Sequence, residues 1–314
     1  MKIIFMGTPD FSVGTLEALI AAGHEITLVV SQPDKPKGRG HELCPTPVKE
    51  VALKHSLPIY QPEKIRGELA QEMLRKTEAD VIVVVAFGQI IPKAILEMKR
   101  YGCINVHASL LPKYRGAAPI QWAVINGERE SGVTIMQMDA GLDTGDMLLK
   151  GRVELDKKET GGSLFDRLSA LGASLCVEAL AKLEAGELIP ERQGESPTAY
   201  AGMLTKEMGC IDWTKPAAEL ERLIRGLNPW PSAYTFLEGK NLKIWAADVV
   251  EEIRGTAAPG TVIEVSKDSF CVACGQGALT IRELQLQGKK RMDTAAFLRG
   301  NTLEKGLLLG KKAN

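Results

Sequence analysis

Residues 79–87 restrict the fold more than any other part of the chain. They read Ala-Asp-Val-Ile-Val-Val-Val-Ala-Phe, an almost continuous run of apolar, mostly β-branched residues without alternation. Such a run is typical of a strand in a parallel sheet that helices cover on both faces. The sequence therefore predicts an α/β protein in which this run is a central strand.

The N-terminal residues fit the same architecture. Residues 2–6 predict a first strand, a turn at Gly7 leads into a helical pattern that closes at Gly23, and residues 26–31 predict a second strand. This order predicts a Rossmann-like, doubly wound and mostly parallel sheet. The full glycine fingerprint of dinucleotide sites is missing, which argues against a nicotinamide oxidoreductase.

Further elements of the first domain follow from local patterns. We expect a helix over 91–100, a strand over 133–139 and a long amphipathic helix over 160–186. Residues 31–47 contain four prolines, two glycines and several basic residues. Because this composition has little backbone preference, we expect an irregular segment there.

The C-terminal part has a different pattern. Polar residues, prolines and glycines predict a linker over 190–207 between one domain at 1–189 and another at 208–314. The second domain has short alternating runs between glycines and charged turns, which predicts a small, OB-like β-barrel. From Lys206 onward there are 16 Lys or Arg and 13 Asp or Glu, a surplus too small to identify a nucleic-acid partner by itself.

Composition predicts where the protein works. No apolar run approaches the roughly 20 residues of a membrane span, and the N-terminus lacks the apolar stretch of a signal peptide, so we expect a cytoplasmic protein. No exposed apolar stripe is evident, so we expect a monomer. The six cysteines are scattered, and the pair Cys271 and Cys274 has no neighbouring ligand pair, so no metal site is predicted.

Residues 103–119 carry the best candidates for catalysis. The stretch begins as a strand in which Asn105 and His107 share one face, just before a loop rich in proline and glycine. In α/β sheets the ligand crevice opens at strand ends. An amide donor beside a titratable ring suits the binding of a developing oxyanion and the transfer of a proton. The alternative is a buried polar pair that backbone groups satisfy.

The motifs of the chain resemble the folate-dependent formyltransferase superfamily. The resemblance rests on Asn105-x-His107, on the following Ser-Leu-Leu-Pro at 109–112, and on Gly-Leu-Asp-Thr-Gly at 141–145. The basic loop at 37–40 and Asn-Pro-Trp-Pro at 228–231 favour the branch that acts on tRNA. The resemblance implies transfer of a formyl group from 10-formyltetrahydrofolate to the α-amine of methionine esterified to initiator tRNA.

The resemblance also implies roles for individual residues. Asn105 would donate to the formyl oxygen, His107 would be a second donor and proton carrier, and Asp143 would favour protonated His107. For Asp143 alone, a turn-forming role between two glycines is the alternative. The residues implied in folate binding are Ser109, Leu110, Leu111, Pro112, Phe87, Gly88, Gln89, Ile90, Ile91 and Asp139.

Two basic regions are candidate tRNA contacts. Lys37 and Arg39 in the Pro-rich segment would grip the acceptor stem, unless that segment is simply a solvated loop. Lys289, Lys290 and Arg291 of the second domain would contact the tRNA backbone.

Two other functions remain open from the sequence. A superfamily member that formylates an amino sugar or a glycinamide ribonucleotide would share the catalytic residues without needing the basic loop. The other is a non-catalytic RNA-binding protein on a Rossmann-like scaffold.

Overall fold

The computed structural model describes residues 1–37, 42–252 and 256–310. They form two compact units. The first comprises Met1–Pro119, Glu130–Glu154 and Phe165–Ala201, and the second comprises Ile120–Arg129, Leu155–Leu164 and Gly202–Asn314. The second unit therefore includes two segments that precede residue 165. The predicted limits 1–189, 190–207 and 208–314 stay a prediction.

The first unit is built on a seven-stranded sheet with the order β5-β2-β1-β6-β7-β8-β9. Its strands, with the short pair β3–β4, are β1 (Lys2–Gly7), β2 (Glu25–Val30), β3 (Lys35–Lys37), β4 (Glu42–Cys44), β5 (Ile59–Tyr60), β6 (Val81–Val85), β7 (Cys103–His107), β8 (Glu130–Gln137) and β9 (Met147–Glu154). The helices before residue 190 are α1 (Asp10–Ala21), α2 (Pro47–Lys54), α3 (Glu68–Lys76), α4 (Lys93–Leu96), α5 (Pro119–Ile125) and α6 (Gly161–Ala185). Of these, α5 lies almost wholly in a segment of the second unit.

The predicted mostly parallel sheet is confirmed. The strands from β5 to β7 pair in parallel, whereas β8 and β9 pair antiparallel at one edge. Every residue of β6 is buried, as its β-branched composition predicts. On one face Gly172 of α6 lies so close that a methyl group there would meet Val106 of β7 at 2.9 Å.

Several local predictions need correction. The helix predicted over 91–100 spans only Lys93–Leu96. The segment predicted to be irregular over 31–47 contains the antiparallel pair of β3 and β4. It also contains the start of α2, where the Thr46 hydroxyl accepts a hydrogen bond from the Lys49 amide. Backbone pairing thus orders a composition that has little preference of its own.

The second unit contains an antiparallel sheet with the order β10-β11-β14-β13-β12, and β15 pairs with β14. Its elements are α7 (Ala217–Gly226), β10 (Ala233–Leu237), β11 (Lys240–Val250), β12 (Val262–Val265), β13 (Phe270–Ala273), β14 (Ala278–Leu286), β15 (Met292–Asp293) and α8 (Thr294–Gly300). Trp213, Phe270 and Phe297 lie in its apolar core.

The two edge strands of this second sheet do not pair with each other in the described ranges. Instead, residues 306–310 hydrogen-bond to both edges. The Val262 amide donates to the Leu307 carbonyl, and the Gly310 amide donates to the Phe236 carbonyl. The second unit is thus an antiparallel sheet domain, and the strands alone form no closed barrel.

None of the helices in the described parts of the chain has the length and apolarity that crossing a bilayer requires.

Candidate active site

The candidate site lies where β7 ends. Asn105 pairs with Val84 of the parallel neighbour β6, and His107 pairs with Thr134 of the antiparallel neighbour β8. The two candidate side chains therefore lie at the position where the sheet changes from parallel to antiparallel pairing. They also lie near the carboxyl end of β7, and open α/β sheets bind ligands outside the carboxyl ends of their strands.

His107 is buried and one of its nitrogens is committed to the scaffold. Its Nε2 lies 3.0 Å from the Tyr114 carbonyl oxygen, which only accepts hydrogen bonds, so Nε2 carries the hydrogen. Its Nδ1 faces Asp143 Oδ2 at 3.8 Å. Of the two ring nitrogens, Nδ1 is therefore the one that can gain and release a proton.

Asp143 is held in an uncommon backbone conformation. Its φ is +54°, in the left-handed region that Asp and Asn tolerate better than other non-glycine residues. Its Oδ2 accepts a hydrogen bond of 2.9 Å from the Gly116 amide. The same oxygen thus faces both a backbone donor and the His107 ring.

Asn105 is half-buried, and its side-chain amide makes no hydrogen bond to another described residue. It therefore retains its donors for a bound molecule. Cys103, two residues earlier, is buried, and that burial raises the pKa of its thiol to about 12. This cysteine is a packing residue and not a nucleophile at neutral pH.

The loop after β7 is organised around Thr134. The Thr134 hydroxyl donates to the Ser109 carbonyl at 2.7 Å and accepts from the Leu111 amide at 3.1 Å. Ser109 and Leu111 are buried, and Leu111 packs in a small cluster with two methionines. These two predicted folate contacts therefore also form the interior of their own loop.

The loop after β6 contains the second set of predicted folate contacts. Phe87 and Ile91 are buried in the core, whereas Ile90 is 82% exposed. Gln89 Oε1 accepts a hydrogen bond of 2.8 Å from the Ile65 amide. Gly88 has φ +84°, so it turns the chain in a conformation that favours glycine. Ile90 is thus the large apolar side chain of this loop that is available to a ligand.

Asp139 has a structural role in the loop that carries Asp143. Its carboxylate accepts hydrogen bonds from the Gly141 amide and the Thr144 hydroxyl. It also lines a surface cavity of about 690 Å³ that none of the three candidate catalytic residues lines. Leu142, at the tip of the same loop, is 58% exposed.

Three residues near Asp143 were not predicted. Gly116 has φ +127°, and a methyl group there would meet the Ala201 carbonyl at 2.6 Å and Tyr200 Cζ at 2.8 Å. Burial and, secondarily, the negative charge of Asp143 raise the pKa of Tyr200. Gln193 donates two hydrogen bonds to this loop. Gln193 and Tyr200 lie in a stretch whose polar pattern indicates only a linker, so the sequence gives no signal for them.

The basic candidates of the second unit have different surroundings. Lys289 and Lys290 are exposed. Arg291 makes two hydrogen bonds to the Glu283 carboxylate, at 2.6 and 2.5 Å, and its guanidinium lies 4.6 Å from the centre of the Trp245 ring.

The basic candidates of the first unit can be placed only in part. Backbone atoms of Lys37 lie in β3, and Arg39 lies outside the described residues. A neighbouring acidic residue of the same segment, Asp34, has a pKa below its usual range because Gln61 and Lys49 donate hydrogen bonds to its carboxylate.

Family models match nearly the whole chain. The model described as "Formyl transferase" matches residues 1–180, and the model described as "Formyl transferase, C-terminal domain" matches residues 203–302. A methionyl-tRNA formyltransferase of Lachnospira eligens is 59% identical over 99% of this chain and 100% of its own length. One from Agathobacter rectalis is 61% identical over 98% of both chains.

Solved structures share the fold at low identity. The sugar 3N-formyltransferase WlaRD matches with a TM-score of 0.67 and 20% identity, over 92% of this chain and 99% of its own. HypX from Aquifex aeolicus in complex with tetrahydrofolic acid matches with a TM-score of 0.62 and 17% identity, over 98% of this chain and 50% of its own. At these identities the likeness concerns the fold alone.

Proposed function

The chain belongs to the methionyl-tRNA formyltransferase family, and we propose that Asn105, His107 and Asp143 carry the reaction of that family here. The enzyme transfers a formyl group from 10-formyltetrahydrofolate to the α-amine of methionine on initiator tRNA. The observation that supports the proposed roles is the 3.8 Å approach of His107 Nδ1 to Asp143 Oδ2, with the unpaired amide of Asn105 two residues along the same strand.

Each residue has a task in this proposal. An α-amine has a pKa of about 8, so part of the substrate is already neutral at pH 7, and the enzyme mainly has to orient it. Asn105 donates to the formyl oxygen as negative charge develops there. His107 Nδ1 relays a proton to the leaving folate nitrogen as the bond from that nitrogen to the formyl carbon breaks, and Asp143 stabilises the ring while it is charged. Because Nε2 is bound to Tyr114, proton transfer uses Nδ1.

The folate site in this proposal lies between the loop after β6 and the loop that carries Asp143. Ile90 and Leu142 are large apolar side chains exposed on these two loops. Exposed apolar side chains on these loops suit contact with the flat faces of an aromatic ring. Phe87, Ile91, Ser109 and Leu111 are buried and support the loops from within, and backbone groups at Gly88 remain available to the ligand.

The tRNA contacts in this proposal come from Lys289 and Lys290, with Lys37 and Arg39 as contacts of the first unit. Arg291 contributes less, because Glu283 already compensates its charge. We also propose that residues 306–310 close the second unit into an OB-like barrel and that the enzyme is a cytoplasmic monomer. Replacing Lys289 and Lys290 by alanine should raise KM for tRNA and leave donor affinity unchanged. An unchanged KM would remove these two residues from the tRNA contacts.

The deciding experiment offers the purified protein 10-formyltetrahydrofolate with one of three acceptors: methionyl initiator tRNA, a nucleotide-linked amino sugar, or glycinamide ribonucleotide. Formylation of the tRNA alone is expected. Formylation of a small acceptor but not of tRNA would contradict the assigned acceptor. Binding of tRNA without turnover by a folded protein that also binds the donor would contradict the assigned reaction.

A further inference from the structure

Gln193 joins two loops of the first unit through its side-chain amide. Its Oε1 accepts hydrogen bonds from Arg115 Nε at 3.0 Å and from Arg115 Nη2 at 2.8 Å. Its Nε2 donates to the Asp143 carbonyl at 2.9 Å and to the Gly145 carbonyl at 2.7 Å. Both ends of the amide therefore use their full hydrogen-bonding capacity.

These bonds fix the backbone of the residue that faces His107. Asp143 adopts φ +54°, a conformation that costs free energy unless neighbouring groups hold it. Gln193 holds its carbonyl, and the Gly116 amide holds its carboxylate. Asp143 is thus fixed from two sides, and its Oδ2 has little freedom to leave the His107 ring.

The segment that carries Gln193 is itself attached to the loop that fixes His107. The Tyr114 amide donates to the Thr198 hydroxyl at 2.7 Å, and the Ala201 amide donates to the Arg115 carbonyl at 2.8 Å. Tyr114 is also the residue whose carbonyl binds His107 Nε2. The segment therefore holds both members of the His107–Asp143 pair in one frame.

From this geometry we propose that Gln193 is a positioning residue for formyl transfer, acting through Asp143. The inference rests on the proposed catalytic role of Asp143. Gln193 does not contact the reacting atoms in this proposal. It sets the distance between Asp143 and His107, and a misplacement of about 1 Å in an active site can cost about 10²-fold in rate.

The main test compares Gln193→Met, which keeps the side-chain length without hydrogen bonds, with the wild type. Glu195→Ala, an exposed neighbour in the same segment, is the matched control. The single-turnover rate of formyl transfer should fall about 10²-fold in Gln193→Met. The KM for tRNA and the Kd for the folate donor should stay within about twofold of wild type, since this proposal places Gln193 in contact with neither ligand.

A second variant distinguishes a folding defect from a loss of positioning. Gln193→Glu retains the acceptor for Arg115 but lacks both donors to the Asp143 loop. It should keep the segment attached and should still lose rate. Wild-type turnover in Gln193→Glu would show that the Arg115 contact alone matters and would overturn the inference.

Combination with Asp143→Asn separates this inference from the proposed function. If Gln193 acts through Asp143, the effects of the two substitutions are not additive. Adding Gln193→Met to the Asp143→Asn variant should then lower its single-turnover rate by less than about twofold. The same loss in both backgrounds would overturn the inference and leave the role of Asp143 intact. A fully active Asp143→Asn single variant would instead overturn the proposed function, and the inference with it.

Discussion

The negative charge of Asp143 is the most informative property to remove by mutation. Asp143→Asn keeps the size of the side chain, an oxygen that can accept from the Gly116 amide, and a residue type that tolerates φ +54°. Alanine would lose all three. The asparagine variant should therefore fold normally and lose only the negative charge opposite His107.

The size of the loss follows from the geometry. Unit charges at 3.8 Å interact by about 4 kcal/mol at an effective dielectric constant of about 20. This is an upper limit, because the Asp143 side chain remains 18% exposed to water. Since about 1.36 kcal/mol corresponds to a tenfold change in rate, the expected loss is about 10²- to 10³-fold.

The assay is the single-turnover rate of methionyl-tRNA formylation with saturating folate donor. Asp146→Asn removes the same charge three residues away and serves as the control, with a rate expected near wild type. Thermal unfolding checks that both variants fold. A rate for Asp143→Asn within threefold of its control would refute the role of the carboxylate charge.

Three further predictions follow from other side chains. Asn105→Ala should lower the single-turnover rate by about 10²- to 10³-fold without changing Tm, and a rate within tenfold of wild type would contradict its oxyanion role. Thr134→Val should lower the free energy of unfolding by about 1–3 kcal/mol, because it leaves buried loop groups unpaired; a urea titration that gives the wild-type value would contradict this. Hydrogen bonds from Lys158 and Arg282 hold the pKa of Asp248 below its usual range. The ionised carboxylate therefore stabilises the folded state at pH values above its unfolded-state pKa of about 4. This stabilisation disappears as the pH falls through the lower folded-state pKa. Asp248→Asn should therefore destabilise the protein at pH 7 and not at pH 2, and equal losses at both pH values would speak against the ion pairs.

Much of the first unit could be predicted because its signals are local. The run at 79–87 contains β6, and the pattern over 160–186 contains α6, within two residues at either end. A strand that is buried on both faces and an amphipathic helix each leave a direct pattern of apolar residues in the sequence. The helix α3 has an amphipathic pattern that could have been recognised, whereas β9 shows no clear alternation of buried and exposed residues.

The frame around His107 and Asp143 could not be predicted in the same way. Gln193 binds loop carbonyls 48 and 50 residues away in the chain, and no periodicity encodes such a pairing. The motif residues Asn105, His107 and Asp143 were found because their types and spacing are recognisable. Their supports are common polar residues in irregular segments, and only the folded backbone shows what they hold.

The interleaving of the two units limits how this protein can be divided. Arg222 donates to the Ile125 carbonyl, and Arg225 donates to the Glu159 carbonyl, so α7 is anchored to the two early segments of its own unit. A gene fragment that starts at residue 202 would encode α7 without either anchor. Any split or permuted form meant to fold as a separate second unit would have to carry those early segments with it.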